Sequence, residues 1–292
     1  MLRIKRVVPS KGCDFHVLQT SEKAVILDTG MFHCAEDTIR SICDELGDRR
    51  PDIVLLTHTH YDHIGGIPAI REAFPDIEIF GSEYAAYVLQ RQGARRVMRT
   101  LAQEAANAYL GKHAQELCYD DNLLYIDHII GDGDVVDLGS AKLNVYSTPG
   151  HTNCSLTFYE PNDKILFLSE SCGVYVDPTW IDVSILTGYE QTMRSIELCR
   201  SLGAKTLYAP HYGKITDMPP EEYFSLAESS AQAFKDIILS EWGKGRTDDE
   251  VMETCRNLIW KTKVVGYEDQ PVAAFDANTK AFLSVLKKEF PM

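Results

Sequence analysis

The sequence has few of the features that mark a secreted or membrane-bound chain. Its eight cysteines are scattered without a CxxC pair, which favours reduced thiols over a disulfide framework. No run approaches the ~18–20 apolar residues that a membrane-spanning helix needs. The opening stretch, MLRIKRVVPSKGCDFHVL, has basic residues without an apolar stretch behind them, so we expect no signal peptide. These absences predict a cytoplasmic protein that does not enter a membrane.

Positive charge is also scarce. The chain has 29 Lys and Arg residues against 43 Asp and Glu residues, which gives a net charge of −14. An acidic protein repels nucleic-acid phosphates, so the composition predicts no nucleic-acid partner. The only dense basic run lies at 91–99, and its near-helical spacing is typical of a solvated helix face.

The pattern of apolar residues divides the chain into a body and a helical extension. The 292 residues, 45% of them hydrophobic, suffice for a large core. Strand-length runs such as AVILDTG and IVLLTH alternate with helical patterns as far as Pro219, after which the pattern is helical. We predict a mixed α/β body at 1–218, with a helical insertion at about 83–112. The extension, 219–292, is expected to pack on the body or to form a homodimer contact.

The extension also carries signals for individual helices. Thr247 and Glu250 have the spacing of a capping box at a helix N-terminus. The apolar residues after them are expected to continue on one face of that helix: Val251, Cys255, Leu258 and Ile259. A last helix is predicted at 276–289.

Three histidines and an aspartate are crowded into the stretch LLTHTHYDHIGG. His58 and His60 follow an apolar strand, and because they are two residues apart both imidazoles point to the same side of an extended chain. Asp62 and His63 lie beyond a bend, before a helix predicted at 65–74. Packing does not explain such crowding, whereas nitrogen and oxygen donors of this kind suit zinc, iron or manganese.

Two further histidines occur in similar settings. His151 follows the strand and turn NVYSTPG, and His211 follows the strand and turn TLYAP. Loops at strand ends commonly carry function, so both are candidate ligands. The histidines without such a setting are predicted to have structural or surface roles: His16, His33, His113 and His128.

Taken in order, these motifs resemble those of the metallo-β-lactamase-fold hydrolases. The similarity covers THTHYDHIGG, TPGHT, an acidic residue after an apolar strand and a histidine after another strand, from about residue 24 to 211. It implies an α/β (α+β) protein, a four-layer αββα sandwich of two mixed sheets with a dinuclear site at the sheet edge. The layout is most similar to glyoxalase II-like and quinolone-signal-response thioesterase-like members, which have helices after the last metal-binding histidine.

The resemblance implies two divalent metal ions, zinc first, with iron or manganese as alternatives. The implied ligands are His58, His60 and His151 for one ion, Asp62, His63 and His211 for the other, and Glu170 between them. The family expects a bridging aspartate at this last position, whereas the strand KILFL is followed here by Glu170. A glutamate bridges metals in other di-metal proteins, and Asp177 is a less favoured substitute.

A site of this kind predicts hydrolysis by a metal-bound hydroxide, with Asp62 as the catalytic residue that orients it. We expect a small-molecule substrate of the ester, thioester or lactone type, and a thioesterase-like activity in view of the helical extension. The candidate residues for the lining of a substrate pocket are Tyr175, Trp180 and Tyr212.

Two alternatives stay open. The first is a di-iron redox enzyme, although such relatives tend to have glutamate where this chain has His60 and carry a flavodoxin domain that is not found here. The second is a metal-binding regulatory protein of the same fold with little catalysis, which the unusual Glu170 favours.

Overall fold

A computed structural model of the protein describes residues 2–10, 13–264 and 270–291. The chain forms two compact units. The first unit comprises Met1–Ser147, Leu156–Asp163 and His211–Gly213. The second unit comprises Thr148–Ser155, Lys164–Pro210 and Lys214–Met292. Neither unit is continuous in sequence, so the predicted division between 1–218 and 219–292 stays a prediction, and its residues 1, 11–12, 265–269 and 292 lie outside the described part.

The described residues form two six-stranded sheets and a two-stranded sheet. The first sheet contains β1 (Arg3–Ser10), β2 (Cys13–Gln19), β3 (Ala24–Leu27), β4 (Ile53–Leu55), β5 (Glu78–Gly81) and β6 (His128–Ile129). The second contains β7 (Val135–Asp137), β8 (Lys142–Ser147), β9 (Leu156–Glu160), β10 (Ile165–Phe167), β13 (Thr206–Ala209) and β14 (Gly213–Lys214). The small sheet pairs β11 (Val174–Asp177) with β12 (Trp180–Asp182).

Both large sheets are mixed. In the first unit β1, β2 and β3 are antiparallel neighbours, whereas β3, β4, β5 and β6 run parallel. Every residue of β3 and β4 is buried, as expected for continuous apolar runs in parallel strands. The same unit contains the antiparallel strands β7, β8 and β9, and the second unit contains the parallel pair β10 and β13. These sheets and their helices confirm the predicted fold class.

Helices surround the strands of each unit. The first unit has α1 (Ala35–Leu46), α2 (Tyr61–Ile64), α3 (Ile67–Ala73), α4 (Glu83–Gln90) and α5 (Gln92–Leu110). The second unit has α6 (Tyr189–Ser201), α7 (Pro220–Gly243), α8 (Asp248–Cys255), a π-helix (Arg256–Val264) and α9 (Val272–Glu289). Helix α7 packs on α6 and β12, both of which belong to the predicted body. Helix α7 of the predicted extension therefore packs against elements of the predicted body within one unit.

Several sequence predictions need adjustment. The helical insertion predicted at about 83–112 consists of two helices, α4 and α5, which are separated at Arg91. The helix predicted at 65–74 is shorter, Ile67–Ala73. Helix α9 starts at Val272 rather than 276, directly after Pro271. The capping box of Thr247 and Glu250 is confirmed.

The stripe after Val251 was wrong at one position. Val251, Cys255 and Ile259 are buried as predicted, but α8 gives way at Arg256 to a π-helix, whose wider turn puts Val264 rather than Leu258 on the buried face. Leu258 is therefore 51% exposed rather than on the buried face.

Two expectations from composition have structural counterparts. All eight cysteines lie in the described residues and are free thiols, as predicted. Among the helices of the described residues, none combines the length and apolar content required to cross a bilayer.

Candidate metal centre

The first unit holds five of the seven predicted ligands, on the connection from β4 to α2, in α2 itself and in the turn after β13. His58 lies just beyond β4 and His60 directly precedes α2, so the two imidazoles occupy a single strand-to-helix connection. Their ring centroids are 4.7 Å apart, and each offers a ligand atom within 4.8 Å of one on the other. This is the spacing of two donors that bind one ion.

Asp62, His63 and His211 form a second donor group in the same unit. One potential ligand atom of each lies within 4.8 Å of the others. A carboxylate oxygen of Asp62 is 3.8 Å from Nε2 of His63 and 3.6 Å from Nε2 of His211. The short helix α2 carries Asp62 and His63, and a turn after β13 carries His211.

The local backbone requires glycine beside this cluster. A side-chain carbon at Gly65 would lie 2.2 Å from the backbone nitrogen of Phe32, and one at Gly66 would lie 2.5 Å from the carbonyl oxygen of Thr29. Both distances are too short for any side chain, so the glycines let the loop after His63 pack directly on the loop after β3.

A buried acid that was not predicted orients two of these histidines. Asp28 accepts a hydrogen bond from Nδ1 of His63 at 2.9 Å and another from the Thr57 hydroxyl at 2.7 Å. Since that hydroxyl donates its only proton to Asp28, it acts as acceptor for Nδ1 of His58, 3.0 Å away. Both imidazoles are thus protonated on Nδ1 and present the lone pair of Nε2.

His211 also has an acid behind it. Oδ1 of Asp14 lies 3.7 Å from Nδ1 of His211, and Oδ2 of Asp14 accepts from the backbone nitrogen of Tyr212 at 2.9 Å. Arg6 pairs with the same carboxylate at 2.6 Å. Tyr212 adopts a positive φ of 68°, so the turn that carries His211 is held in a conformation that non-glycine residues rarely adopt.

The second unit holds the other two predicted ligands in contact with each other. Nε2 of His151 lies 3.0 Å from Oε2 of Glu170, and the two side chains are almost fully buried. Nδ1 of His151 donates to the carbonyl oxygen of Ser184 at 2.8 Å. A carbonyl can only accept, so Nδ1 of His151 carries a proton and Nε2 is the ring nitrogen that faces the Glu170 carboxylate.

The segment around Glu170 shapes the turn that carries His151. The Ser171 hydroxyl accepts from the backbone nitrogen of His151 at 3.2 Å, and the hydroxyls of Ser169 and Thr148 are 2.9 Å apart. Gly150 has a φ of 138°, and a side-chain carbon there would lie 2.7 Å from the backbone of Thr192. The TPGH turn therefore requires its glycine and is fixed on both sides.

Another acid, Asp182, lies close to His151 and Glu170. Asp182 of β12 is buried, and burial, followed by the negative charge of Glu170, raises the pKa of its carboxyl to about 6. The Gln270 amide donates to it at 3.3 Å, whereas Asp177, the alternative to Glu170, accepts from the backbone and hydroxyl of Thr179.

The donor chemistry fits divalent metal ions. His58, His63 and His151 each have Nδ1 bound to an oxygen acceptor, which fixes the tautomer and leaves Nε2 as a ligand atom. The first unit adds the Asp62 carboxylate to its imidazoles, and the second unit pairs His151 with Glu170. Each unit thus offers nitrogen and oxygen donors of the kind that zinc, iron and manganese accept.

The three predicted pocket residues have varied surroundings. Tyr175 in β11 is half-buried and donates its hydroxyl to Asp217 at 3.0 Å. Trp180 in β12 is buried, with the Lys263 ammonium 5.8 Å from its ring centroid. Tyr212 is half-buried, 5.6 Å from the guanidinium of Arg6. Their role in lining a substrate pocket stays a prediction.

The sequence contained a signal for only some of the residues that hydrogen-bond to the candidate ligands. Asp28 is an acid directly after the buried strand β3, whose parallel neighbour β4 leads to His58, so its place at the same sheet edge could have been inferred. Ser184 offered no such signal, since it contributes a backbone carbonyl and lies 33 positions from His151.

Comparison with known proteins identifies the family. The profile of the metallo-beta-lactamase superfamily matches residues 11–211, more than half of the 292-residue chain. The chain belongs to this superfamily. The predicted resemblance is thereby confirmed.

Relatives within the superfamily include named hydrolases. An acyl-coenzyme A thioesterase of Homo sapiens is 26% identical over 236 residues, 73% of this chain and 76% of that protein. A hydroxyacylglutathione hydrolase of Legionella pneumophila is 26% identical over 131 residues, 43% of this chain. That match spans only 37% of the relative's length.

Solved structures of metallo-beta-lactamase-fold proteins superimpose on the chain. A metallo-beta-lactamase family protein of Thermus thermophilus superimposes with a TM-score of 0.66 at 19% identity, covering 99% of this chain and 93% of that one. A flavo di-iron protein of Thermotoga maritima gives a TM-score of 0.56 at 17% identity, covering 80% of this chain and 62% of that one. At these identities the likeness concerns the fold alone.

Proposed function

We propose that the protein is a metal-dependent hydrolase acting on a small-molecule thioester, with esters and lactones as the neighbouring substrate classes. The observation that carries the proposal is a hydrogen-bonding pattern common to His58, His63 and His151. Nδ1 of each is bound to an oxygen acceptor. The resemblance of their motifs to those of the superfamily supports the assignment of these histidines as metal ligands, and the hydrogen bonds to Nδ1 leave Nε2 of each one available.

The ligand assignment is part of the proposal. One ion is assigned to His58, His60 and His151, the other to Asp62, His63 and His211, and Glu170 is assigned to both. Zinc is the first choice of metal because the site is rich in imidazole nitrogen. When bound, such ions lower the pKa of a coordinated water towards neutrality and polarise a carbonyl oxygen.

The remaining work belongs to side chains of the chain itself. Asp62 is half-buried, with a carboxylate oxygen within 4 Å of two imidazoles, which suits an acceptor that both binds and orients the attacking water. Asp28 and the Ser184 carbonyl hold His63 and His151 in one orientation, so little reorganisation is needed when substrate arrives.

A thioester is preferred on the basis of the relatives. The human relative that is matched over three quarters of its length is named as an acyl-coenzyme A thioesterase, and the Legionella relative acts, by its name, on a hydroxyacylglutathione. Both names describe small molecules with a thiol-containing carrier. The chain's own helical extension, packed on α6 and β12, is the feature that led to the same expectation.

A small molecule is also preferred over a nucleic acid on charge. The net charge is −14, and two arginines of the basic run are engaged internally, Arg95 with the carbonyl of Asp121 and Arg99 with its carboxylate. A cytoplasmic location and a homodimer remain proposals with it; cell fractionation and light scattering test them.

The test combines metal analysis with a substrate panel. We expect about two zinc ions per chain, and hydrolysis of acyl thioesters faster than of matched oxygen esters, lactones or phosphodiesters. The double variant H58A/H60A should lose one metal and all activity, whereas H128A, which removes an exposed histidine paired with Glu78, should retain both. Full metal content without hydrolysis of any compound in the panel would favour the regulatory alternative, and much less than one metal per wild-type chain would overturn the proposal.

The redox alternative is tested on the same preparation. The iron-loaded protein should consume no oxygen above the level of H58A/H60A. Steady oxygen turnover by the wild type alone would replace the hydrolase assignment with a di-iron redox enzyme.

A further inference from the structure

The turn that carries His151 is supported by the loop at 183–188, between β12 and α6. Ser184 accepts the Nδ1 proton of His151 at 2.8 Å. The Gly150 carbonyl accepts from the backbone nitrogens of Leu186 and Thr187, at 3.1 and 2.9 Å, and from the Thr187 hydroxyl at 3.0 Å. The orientation of this imidazole therefore depends on where the loop lies.

Helix α9 contacts both ends of that loop. At the first end, the amide of Asn278 donates to the hydroxyl of Ser184 at 3.2 Å. At the other end, Oε2 of Glu289 accepts from the backbone nitrogens of Tyr189 and Glu190, both at 3.1 Å. The two contact residues are eleven positions apart, which is about 16 Å along a helix, so α9 runs the length of the loop.

The contact at the second end provides a cap that the residues at the start of α6 do not provide themselves. Helix α6 begins after Gly188, which has no side chain to cap the free backbone nitrogens of the first turn. Glu289 supplies a carboxylate there, and a negative charge at a helix N-terminus is stabilising. The ring of Tyr189 packs beside those of Phe282 and Phe290, at 6.4 and 5.7 Å between centroids.

We infer that α9 is a positioning element of the metal centre, in which Asn278 and Glu289 clamp the loop that orients His151. The inference rests on the proposed function in one respect, the assignment of His151 as a ligand. Asn278 and Glu289 touch neither metal nor substrate in this role. Asn278 acts through Ser184, whose hydroxyl it contacts and whose carbonyl accepts from His151. Glu289 acts through the N-terminus of α6. Together they give the C-terminal extension a part in metal binding.

The experiment measures metal affinity rather than activity. Zinc or cobalt affinity is obtained by chelator competition for wild type, N278A, E289A and the double variant. Loss of the residue that holds a metal-binding histidine commonly costs 10- to 100-fold in affinity, and for this more remote clamp we expect about 3- to 30-fold at one of the two metal positions. E289Q retains an oxygen acceptor for the two backbone nitrogens and should recover most of that loss.

A second readout reports on the imidazole directly. In the metal-free protein, the Nδ1 proton of His151, assigned by its loss in H151A, should exchange faster with water in N278A and E289A than in wild type. A helix that merely contributes stability would not change this proton selectively.

The matched control is D276A, which breaks the pair between Arg256 and Asp276 of α9, at 2.6 Å, without touching the loop. It should lower the melting temperature yet leave metal affinity within about twofold. If N278A and E289A bind metal no more weakly than D276A, the clamp is refuted. If H151A itself keeps full metal content, both the ligand assignment and the clamp are overturned.

Discussion

Asp28 and His63 form a buried pair in which a carboxylate oxygen lies 2.9 Å from Nδ1 of the imidazole. The same carboxylate accepts from the backbone nitrogen of Thr57 at 2.8 Å and from its hydroxyl at 2.7 Å. Asp28 also has a positive φ of 60°. One acid thus fixes two histidine tautomers, through direct contact with His63 and through Thr57 for His58.

The first prediction removes this acid. D28A leaves the Thr57 and His63 donors without their acceptor, so we expect metal affinity to fall about 10- to 100-fold and stability to fall by about 1–3 kcal/mol. D28N should lose affinity too, although asparagine tolerates the positive φ, because its single amide oxygen can replace only one of the two carboxylate oxygens and its NH2 group cannot accept. Chelator competition and urea unfolding measure the two effects.

Asp52 provides the control for Asp28. It accepts from the backbone nitrogen of Ala24 at 2.7 Å, at the opposite end of β3. D52A should therefore lower stability without weakening metal binding. Equal metal affinities in D28A and D52A would contradict the role given to Asp28.

The second prediction concerns the unusual glutamate. If Glu170 bridges two ions, E170D should keep or raise occupancy of the second metal, and E170A should lose it. D177A serves as the control, since Asp177 is occupied with Thr179 and should be dispensable for metal binding. Metal counting by elemental analysis decides the matter, and E170D and E170A behaving alike would rule out a bridging role.

The places of the candidate ligands in the fold were predictable because they follow strands. Period-two and apolar patterns located β4, β8 and β13, and side chains directly after strand ends are well placed for a site. The residues that hydrogen-bond to the candidate ligands were less predictable. Ser184 acts through its backbone, and the identity of a residue says little about what its carbonyl accepts.

Helix boundaries in the extension were predictable only where a side chain marks them. The capping box at Thr247 fixed the start of α8 correctly. The change to a π-helix after Cys255 has no comparable marker, since the 3.6-residue pattern and the wider turn diverge only gradually, and Leu258 was misplaced as a result.

The third prediction is a pH effect that depends on His16, a buried residue of β2. Burial is the main cause that lowers its pKa to about 4, opposed by the charges of Asp14 and Asp28. Because the unfolded chain, with a histidine pKa near 6.5, binds the proton more readily, stability should fall as pH decreases from about 6.5 to 4. Lowering the pKa from 6.5 to about 4 corresponds to a total loss of about 3 kcal/mol in the free energy of unfolding.

The measurement compares slopes rather than absolute stabilities. Urea unfolding of metal-free wild type between pH 5 and 6.5 should show a steeper loss than H16Q, by up to about 1.4 kcal/mol per pH unit. H113Q, at an exposed histidine, should keep the wild-type slope. Parallel curves for wild type and H16Q would show that His16 does not titrate in this way.

The fourth prediction tests the capping box. The Thr247 hydroxyl accepts from the backbone nitrogen of Glu250 at 3.4 Å, and Glu250 accepts from the backbone nitrogen of Thr247 at 2.8 Å. T247A should therefore lower stability by about 1 kcal/mol, which for a chain of this size lowers the melting temperature by about 2–4 °C. T254A, at a half-buried threonine of the same helix whose hydroxyl bonds only to the Glu250 carbonyl, should have a much smaller effect.

The box should also respond to pH, in the direction set by Glu250. The hydrogen bond from the Thr247 backbone is the main cause that lowers the pKa of this carboxyl. Its contribution to stability is present above the pKa of an unfolded glutamate and is lost as pH falls through the lowered value. E250Q should thus come closer to wild type in melting temperature as pH decreases below about 4.5, and a gap that widened in acid would contradict the bond from the ionised carboxylate.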